Sequence, residues 1–144
     1  MTTRHPHRTG FDLTRSHVHI GPAGDAMVIE DAAKLWAELM SGQSHSEEAG
    51  RVAGGGWLVA AFHMTEDPPA WEMHPEGEEI LFLMSGGMEV VLEEEGEDRV
   101  VALRPGTACV VPRGVWHRQV LAGPCDLLAL TYGRGTQHRP AWSS

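Results

Sequence analysis

Short runs in which apolar and polar residues alternate occupy most of the chain after residue 56. Gly, Pro and acidic clusters separate these runs, as is typical of β-strands joined by tight turns. The eight predicted strands are WLVAAFHM, AWEMH, EILFLM, MEVVLEE, RVVALR, TACVVP, VWHRQVL and DLLALTY. Eight short strands at nearly regular spacing predict an all-β sandwich or barrel.

The region before these strands has a different pattern. HVHI at 17–20 predicts one short strand, and the segment DAAKLWAELM at 31–40 predicts one helix, which Gly42 is well placed to end. The segments SGQSHSEEAG and AGGG predict loops. The helical stripe is formed by Ala32, Leu35, Trp36, Leu39 and Met40.

The whole chain of 144 residues fits a single domain. Its expected parts are a flexible arm over 1–16, a strand, helix and loop extension over 17–56, a barrel over 57–132 and a tail over 133–144.

Charge and hydropathy exclude several classes of function. The net charge of −9 argues against binding to nucleic acid or to anionic lipid, since both require a basic face. No apolar stretch approaches the length of a membrane span, and the N-terminus lacks the apolar core of a signal peptide. We therefore expect a cytoplasmic protein that acts on neither nucleic acid nor membranes.

Four polar side chains interrupt the apolar pattern where inward positions are expected. Glu72 and His74 are two residues apart and so share one face of a strand, while Glu79 begins the next strand on the same face as Leu81. His117 follows a Pro-Gly turn in a later strand. These four residues are the candidates for chemistry.

Two motifs around these residues resemble the paired motifs of the cupin superfamily. The first family motif is His-x-His followed by Glu and Gly; here its positions hold Glu72, His74, Glu79 and Gly86, so that the first histidine is replaced by Glu. The second motif, G-x5-P-x-G-x2-H-x3-N, is met by Gly106, Pro112, Gly114 and His117, with Leu121 in place of the asparagine.

The resemblance implies a small antiparallel jelly-roll barrel, and in its metal-bearing members these positions bind a divalent metal. Carried over residue by residue, the implied ligands are Glu72, His74, Glu79 and His117. Imidazole and carboxylate ligands suit Fe, Mn, Ni or Zn, and the two carboxylates would balance the charge of the ion. Glu72 is also the candidate catalytic base.

The implied function is that of a metal-dependent enzyme, a dioxygenase, isomerase or decarboxylase, acting on a small organic molecule inside the barrel. The alternative is a non-catalytic protein, metal-free or with a structural metal, that binds or senses a small ligand. In the metal-free case one carboxylate would take a proton or pair with an arginine such as Arg113 or Arg118.

Several other residues have structural interpretations. His17, His19 and His63 are expected to be core or surface histidines, because no partner is placed by sequence to complete a second site. Ile80, Phe82 and Met84 face away from the predicted metal face and need cover from the second sheet, from the helix over 31–40 or from another subunit. A homodimer is therefore one expected arrangement. Arginines near both ends, Arg134 and Arg139 among them, are expected to pack near the acidic middle.

Overall fold

The computed structural model describes residues 9–42 and 46–141; of the expected arm, residues 1–8 lie outside this part. The strands of the described part are β1 (His17–Ile20), β2 (Ala26–Ile29), β3 (Trp57–Met64), β4 (Ala70–Met73), β5 (Glu79–Ser85), β6 (Met88–Glu94), β7 (Glu97–Leu103), β8 (Ala108–Val111), β9 (His117–Leu121), β10 (Cys125–Thr131) and β11 (Gln137–Pro140). Its helices are α1 (Ala32–Ser41) and α2 (Glu47–Ala53).

The strands form two antiparallel sheets. The six-stranded sheet has the order β2-β1-β3-β10-β5-β8, and the five-stranded sheet has the order β11-β4-β9-β6-β7. Neighbours in each sheet come mostly from distant parts of the chain, as in a jelly roll. The prediction of an all-β antiparallel jelly-roll barrel is therefore confirmed.

Apolar residues from both sheets fill the space between them. Leu81 and Leu83 of β5 and Val90 and Leu92 of β6 are each 0% exposed, because alternate residues of a strand point to the same side. Burying one such side chain contributes about 1.5–3 kcal/mol. The interior is thus a packed core, except at the polar residues described below.

Helix α1 begins and ends as its sequence predicts. The carboxylate of Asp31 accepts a hydrogen bond from the backbone N–H of Lys34, and Gly42 ends the helix with φ of 73°. Leu35 is buried in a small second core, whereas Met40, placed on the same stripe by the sequence pattern, is 68% exposed. In the described part of the chain, neither helix has the length and apolarity needed to cross a membrane.

The prediction of a loop over residues 41–50 was wrong, because helix α2 begins at Glu47. Ser46 caps the helix by accepting from the N–H of Ala49, and Glu47 and Glu48 occupy the first turn, where negative charge is favourable. These start signals are present in the sequence and outweigh the glycines around them. Strands β2 and β11 were also not predicted.

The outer face of the six-stranded sheet carries a continuous apolar row. Paired residues place Val18 beside Val59, Val59 beside Leu130, and Leu130 beside Ile80. Val110 extends the row to the edge strand. The sequence prediction that Ile80 faces away from Glu79 holds, and both helices pack on the opposite side of the sheet, around Leu58 and Ile29.

Candidate metal centre

The four candidate ligands come from three strands and one strand end. Glu72 lies in β4 and pairs directly with His117, the first residue of β9, across the five-stranded sheet. His74 follows the end of β4, and Glu79 begins β5 in the other sheet. Each residue offers one ligand atom, and the four atoms all lie within 4.8 Å of one another.

The contacts among these atoms are short. His117 Nε2 lies 3.0 Å from Glu79 Oε1, and His74 Nε2 lies 3.2 Å from Glu72 Oε1 and 3.4 Å from Glu79 Oε1. The side chains of His74, His117 and Glu79 are at most 5% exposed, whereas that of Glu72 is 34% exposed. The cluster is therefore open to solvent on the Glu72 side.

Two glycine turns help to bring the donors together. Gly77 lies between His74 and Glu79, and a Cβ there would lie 2.4 Å from Cβ of Tyr132, so only glycine fits. Gly114, with φ of 77°, donates its N–H to the carbonyl oxygen of His74 at 2.9 Å. This bond ties the turn before His117 to the first motif.

Three hydrogen bonds engage the outward atoms of the ligands. Thr131 Oγ1 donates to Glu79 Oε2 at 2.5 Å, and His138 Nε2 donates to Glu72 Oε2 at 2.9 Å. His74 Nδ1 donates to Thr136 Oγ1 at 2.8 Å. The inward atoms are left free for another partner.

The inward atoms fit a cation. In the described part of the chain, the buried atoms His74 Nε2, Glu79 Oε1 and His117 Nε2 have no hydrogen-bond partner. Buried polar atoms are nearly always satisfied, so this group of unpaired atoms, all within 4.8 Å of one another, calls for a positive charge between them. The donor set, two imidazoles and two carboxylates, suits a divalent transition metal.

A proton can supply part of this charge. Burial by itself lowers the pKa of His74, but the carboxylates of Glu72 and Glu79 outweigh it and raise the pKa to about 10. Burial raises the pKa of Glu72, yet the hydrogen bond from His138 and the nearby imidazole of His74 hold it well below its usual range. Burial likewise opposes ionisation of Glu79, whose pKa is lowered by the nearby imidazoles of His117 and His74.

The arginine pairing expected of a metal-free site is absent from the described residues. Arg118 instead stacks over the Trp71 ring at 5.3 Å, on the outer side of the sheet, and Arg113 is exposed. The partner of Glu72 is His138. Other arginines near the C-terminus do reach the acidic middle: Arg134 pairs with Glu76 and Arg139 with Glu93.

His17, His19 and His63 use their ring nitrogens in structural contacts. His17 donates from Nδ1 to Leu13 O at 2.9 Å and accepts from Trp36 Nε1 at 2.9 Å. His19 contacts Gly55 O at 2.6 Å and accepts from Arg51 Nε at 2.9 Å. His63 is exposed and contacts Asp126 at 2.8 Å.

Sequence reasoning missed Thr131, Thr136 and His138, whose side chains form hydrogen bonds with three of the ligands. Thr131 lies at an inward position of the predicted strand DLLALTY, which is a usable signal for a buried hydroxyl. Thr136 and His138 lie in the expected tail, more than sixty positions from the ligands that they contact. The motif QHRP has no apolar alternation, so nothing in the pattern predicted β11.

Comparison with known proteins found a matching family model and several similar solved structures. A cupin-domain family model matches residues 62–131. The chain is similar to the solved structure of a cupin-2 domain containing protein from Shewanella frigidimarina, with 17% identity, 53% of this chain and 70% of that chain covered, and a TM-score of 0.46. No curated protein sequence gives a significant match.

Two solved enzymes are also similar in structure. One is the hydroxypropylphosphonic acid epoxidase of S. wedmorenis, at 20% identity, 53% of this chain and 43% of that chain, with a TM-score of 0.45. The other is oxalate oxidase, at 22% identity, 58% of this chain and 45% of that chain, with a TM-score of 0.46. The match spans less than half of either enzyme's chain.

Proposed function

We propose that this chain, whose residues 62–131 match a cupin-domain family model, binds one divalent metal ion and uses it in a reaction on a small organic molecule. The proposed ligands are Glu72, His74, Glu79 and His117. The observation that carries the proposal is the meeting of unpaired inward donor atoms, each within 4.8 Å of the others.

The ligand chemistry limits the ion. Two imidazoles and two carboxylates favour Fe, Mn, Ni or Zn, and the two negative charges neutralise a divalent ion in a largely dry site. When bound, such an ion would supply Lewis acidity and, in the case of iron, redox chemistry.

The exposed side of the cluster is the proposed route for substrate. Glu72 is 34% exposed while the other three ligands are at most 5% exposed, and the core beyond them is filled by residues such as Leu81 and Val90. A substrate would therefore meet the site at the barrel mouth, rather than deep inside the barrel.

Glu72 is the proposed catalytic base. His74, Glu79 and His117 alone form a two-His-one-carboxylate set, so that Glu72, on the open side, can stay off the ion and accept a proton from a molecule bound at the mouth. Dioxygenase, isomerase and decarboxylase chemistry are all compatible with such an arrangement. The proposal therefore stops at the class of metal-dependent reactions.

Metal content is the direct test. The full chain, purified without chelator or polyhistidine tag, should carry about one ion per chain by elemental analysis. His74→Ala should lose it, because the change removes a buried donor, whereas Glu72→His should keep it. His63→Ala is the matched control, since His63 is exposed and lies in another contact. Full metal content in His74→Ala would refute the site.

The alternative is a metal-free protein that binds or senses a small ligand. It is favoured by the raised pKa of His74, because an imidazolium at that position can neutralise the facing carboxylates without an ion. On this reading the purified chain contains no metal, gains none in titration, and still binds a small anionic or polar ligand at the Glu72 side.

We propose in addition that a second copy of the chain covers the outer face of the six-stranded sheet. The row Val18, Val59, Leu130, Ile80 and Val110 carries no charge, so two chains of net charge −9 could meet there without direct repulsion. Six strands about 4.8 Å apart, over roughly 20 Å of length, would bury on the order of 1,000 Å² in total, near the lower end for specific interfaces.

Two valines of almost equal exposure provide the test. Val110 on this face is 53% exposed, and Val100 on the five-stranded sheet is 52% exposed. Val110→Asp should convert a dimer to a monomer in light scattering after size exclusion, while Val100→Asp should not. A monomeric unmodified chain at high concentration would refute the dimer.

A further inference from the structure

The C-terminal strand β11 lies beside the candidate metal centre as an edge strand. It pairs antiparallel with β4, and the register sets His138 opposite Glu72. Thr136, two residues before His138, points to the same inner side, while Arg139 points outward. The side chains of Thr136 and His138 therefore face the ligands, and that of Arg139 faces away from them.

Thr136 determines which nitrogen of His74 is free. The Thr136 hydroxyl donates its single hydrogen to Gly133 O at 2.8 Å, so its oxygen must accept from Nδ1–H of His74, also at 2.8 Å. Since a neutral imidazole carries one proton, the lone pair then lies on Nε2, which faces Glu72 and Glu79. This is the tautomer that a metal ion needs at Nε2.

His138 fixes Glu72 in a corresponding way. Its Nε2–H donates to the outer oxygen of the carboxylate at 2.9 Å, which leaves Oε1 directed at His74 Nε2 at 3.2 Å. Glu72 is the most exposed of the four ligands, and a free glutamate side chain at the surface has several rotamers. The bond from His138 removes that freedom.

An independent contact anchors the strand. The Arg139 guanidinium lies 4.9 Å from the centre of the Trp71 ring and 4.6 Å from that of Trp116, and it forms an ion pair with Glu93. Cation–π contacts and the ion pair hold β11 from the outer side. The strand therefore does not depend on Thr136 or His138 for its attachment.

We propose that Thr136 and His138 are positioning residues of the metal centre, which hold His74 and Glu72 in the orientation that binds the ion. This inference rests on the proposed metal binding. The structural alternative is that both bonds only attach the C-terminal strand. Arg139 and the backbone pairing of β11 already do this.

Titration of the full-length apo chain with Co(II) tests the inference, because its visible absorption reports ligand geometry as well as affinity. Thr136→Val and His138→Leu should each weaken binding about 10- to 100-fold and change the spectrum, as is typical when the outer partner of a ligand is lost. Thr136→Ser and His138→Gln keep a donor or acceptor and should restore most of the affinity. Gln137→Ala, an exposed residue of the same strand, is the matched control.

The outcomes separate the two proposals. If the unmodified chain does not bind Co(II), both the metal site and the positioning role are refuted. If it binds, but Thr136→Val and His138→Leu bind equally well with the same spectrum, the positioning role alone is refuted, even if their apo forms melt at lower temperature. Weakened binding with an unchanged apo melting temperature supports the role.

Discussion

Raising the pH from about 7 to 8.5 is expected to tighten metal binding about tenfold per pH unit. An ion at Nε2 of His74 must displace the proton held there, because metal ligands bind in their deprotonated form. The pKa of His74 is raised to about 10, as Glu72 and Glu79 outweigh the opposing effect of burial. At pH 7 about one apo chain in a thousand is ready to bind, which costs about 4 kcal/mol.

Competition with a chromophoric chelator of known pH dependence measures this effect, at constant ionic strength and with Zn(II) as the probe. Calorimetry in two buffers of different ionisation enthalpy should count about one proton released per ion at pH 7.5. A histidine of ordinary pKa, about 6.5, would leave affinity nearly constant above pH 7. Constant affinity together with no proton release would therefore refute the reasoning.

Protonation of His74 should also affect the stability of the folded apo chain, which should fall as the pH rises. The pKa of His74 is higher in the folded apo chain than the ordinary histidine value of 6.5. Above pH 6.5 the folded state thus holds more protons than the unfolded state, so its contribution is complete below 6.5 and is lost as the pH rises toward 10. Urea denaturation of the apo chain at pH 7 and 9 should show this loss, and a stability that is unchanged or higher at pH 9 would contradict it.

The remaining predictions concern the scaffold. Gly77→Ala should destabilise the chain by about 1–3 kcal/mol in thermal or chemical denaturation, because the added Cβ overlaps Tyr132. Gly50→Ala, in a helix and with nothing within 4 Å of the added atom, should stabilise it by about 0.5–1 kcal/mol. Acidification below pH 6.5 should destabilise the chain through His17, whose pKa is lowered by burial and whose Nε2 already accepts from Trp36. A His17→Gln variant should lose less stability between pH 6.5 and 5 in urea titrations, and an equal loss would exclude His17 as the cause.

The sequence predicted the strand pattern and the four inward polar residues. Period-two alternation marks a strand with one buried face, so Glu79 could be placed on the same face as Leu81 and Leu83. The spacing of the two motifs then indicated which polar residues converge. The local signals for α2, a capping Ser46 followed by two acids, were equally available, but the surrounding glycines obscured them.

The sequence by itself determined β1 and the strands β3 to β10, the first helix and the set of donors, because these depend on contacts between near neighbours and on side-chain alternation. Only the tertiary structure decided that Thr136 and His138 form hydrogen bonds with His74 and Glu72, and that Arg139 packs on Trp116 beside them. These contacts join residues 62 and 66 positions apart through a strand of four polar or small residues. Such a strand has no apolar face of its own, and its place is set by the edge of the sheet against which it pairs.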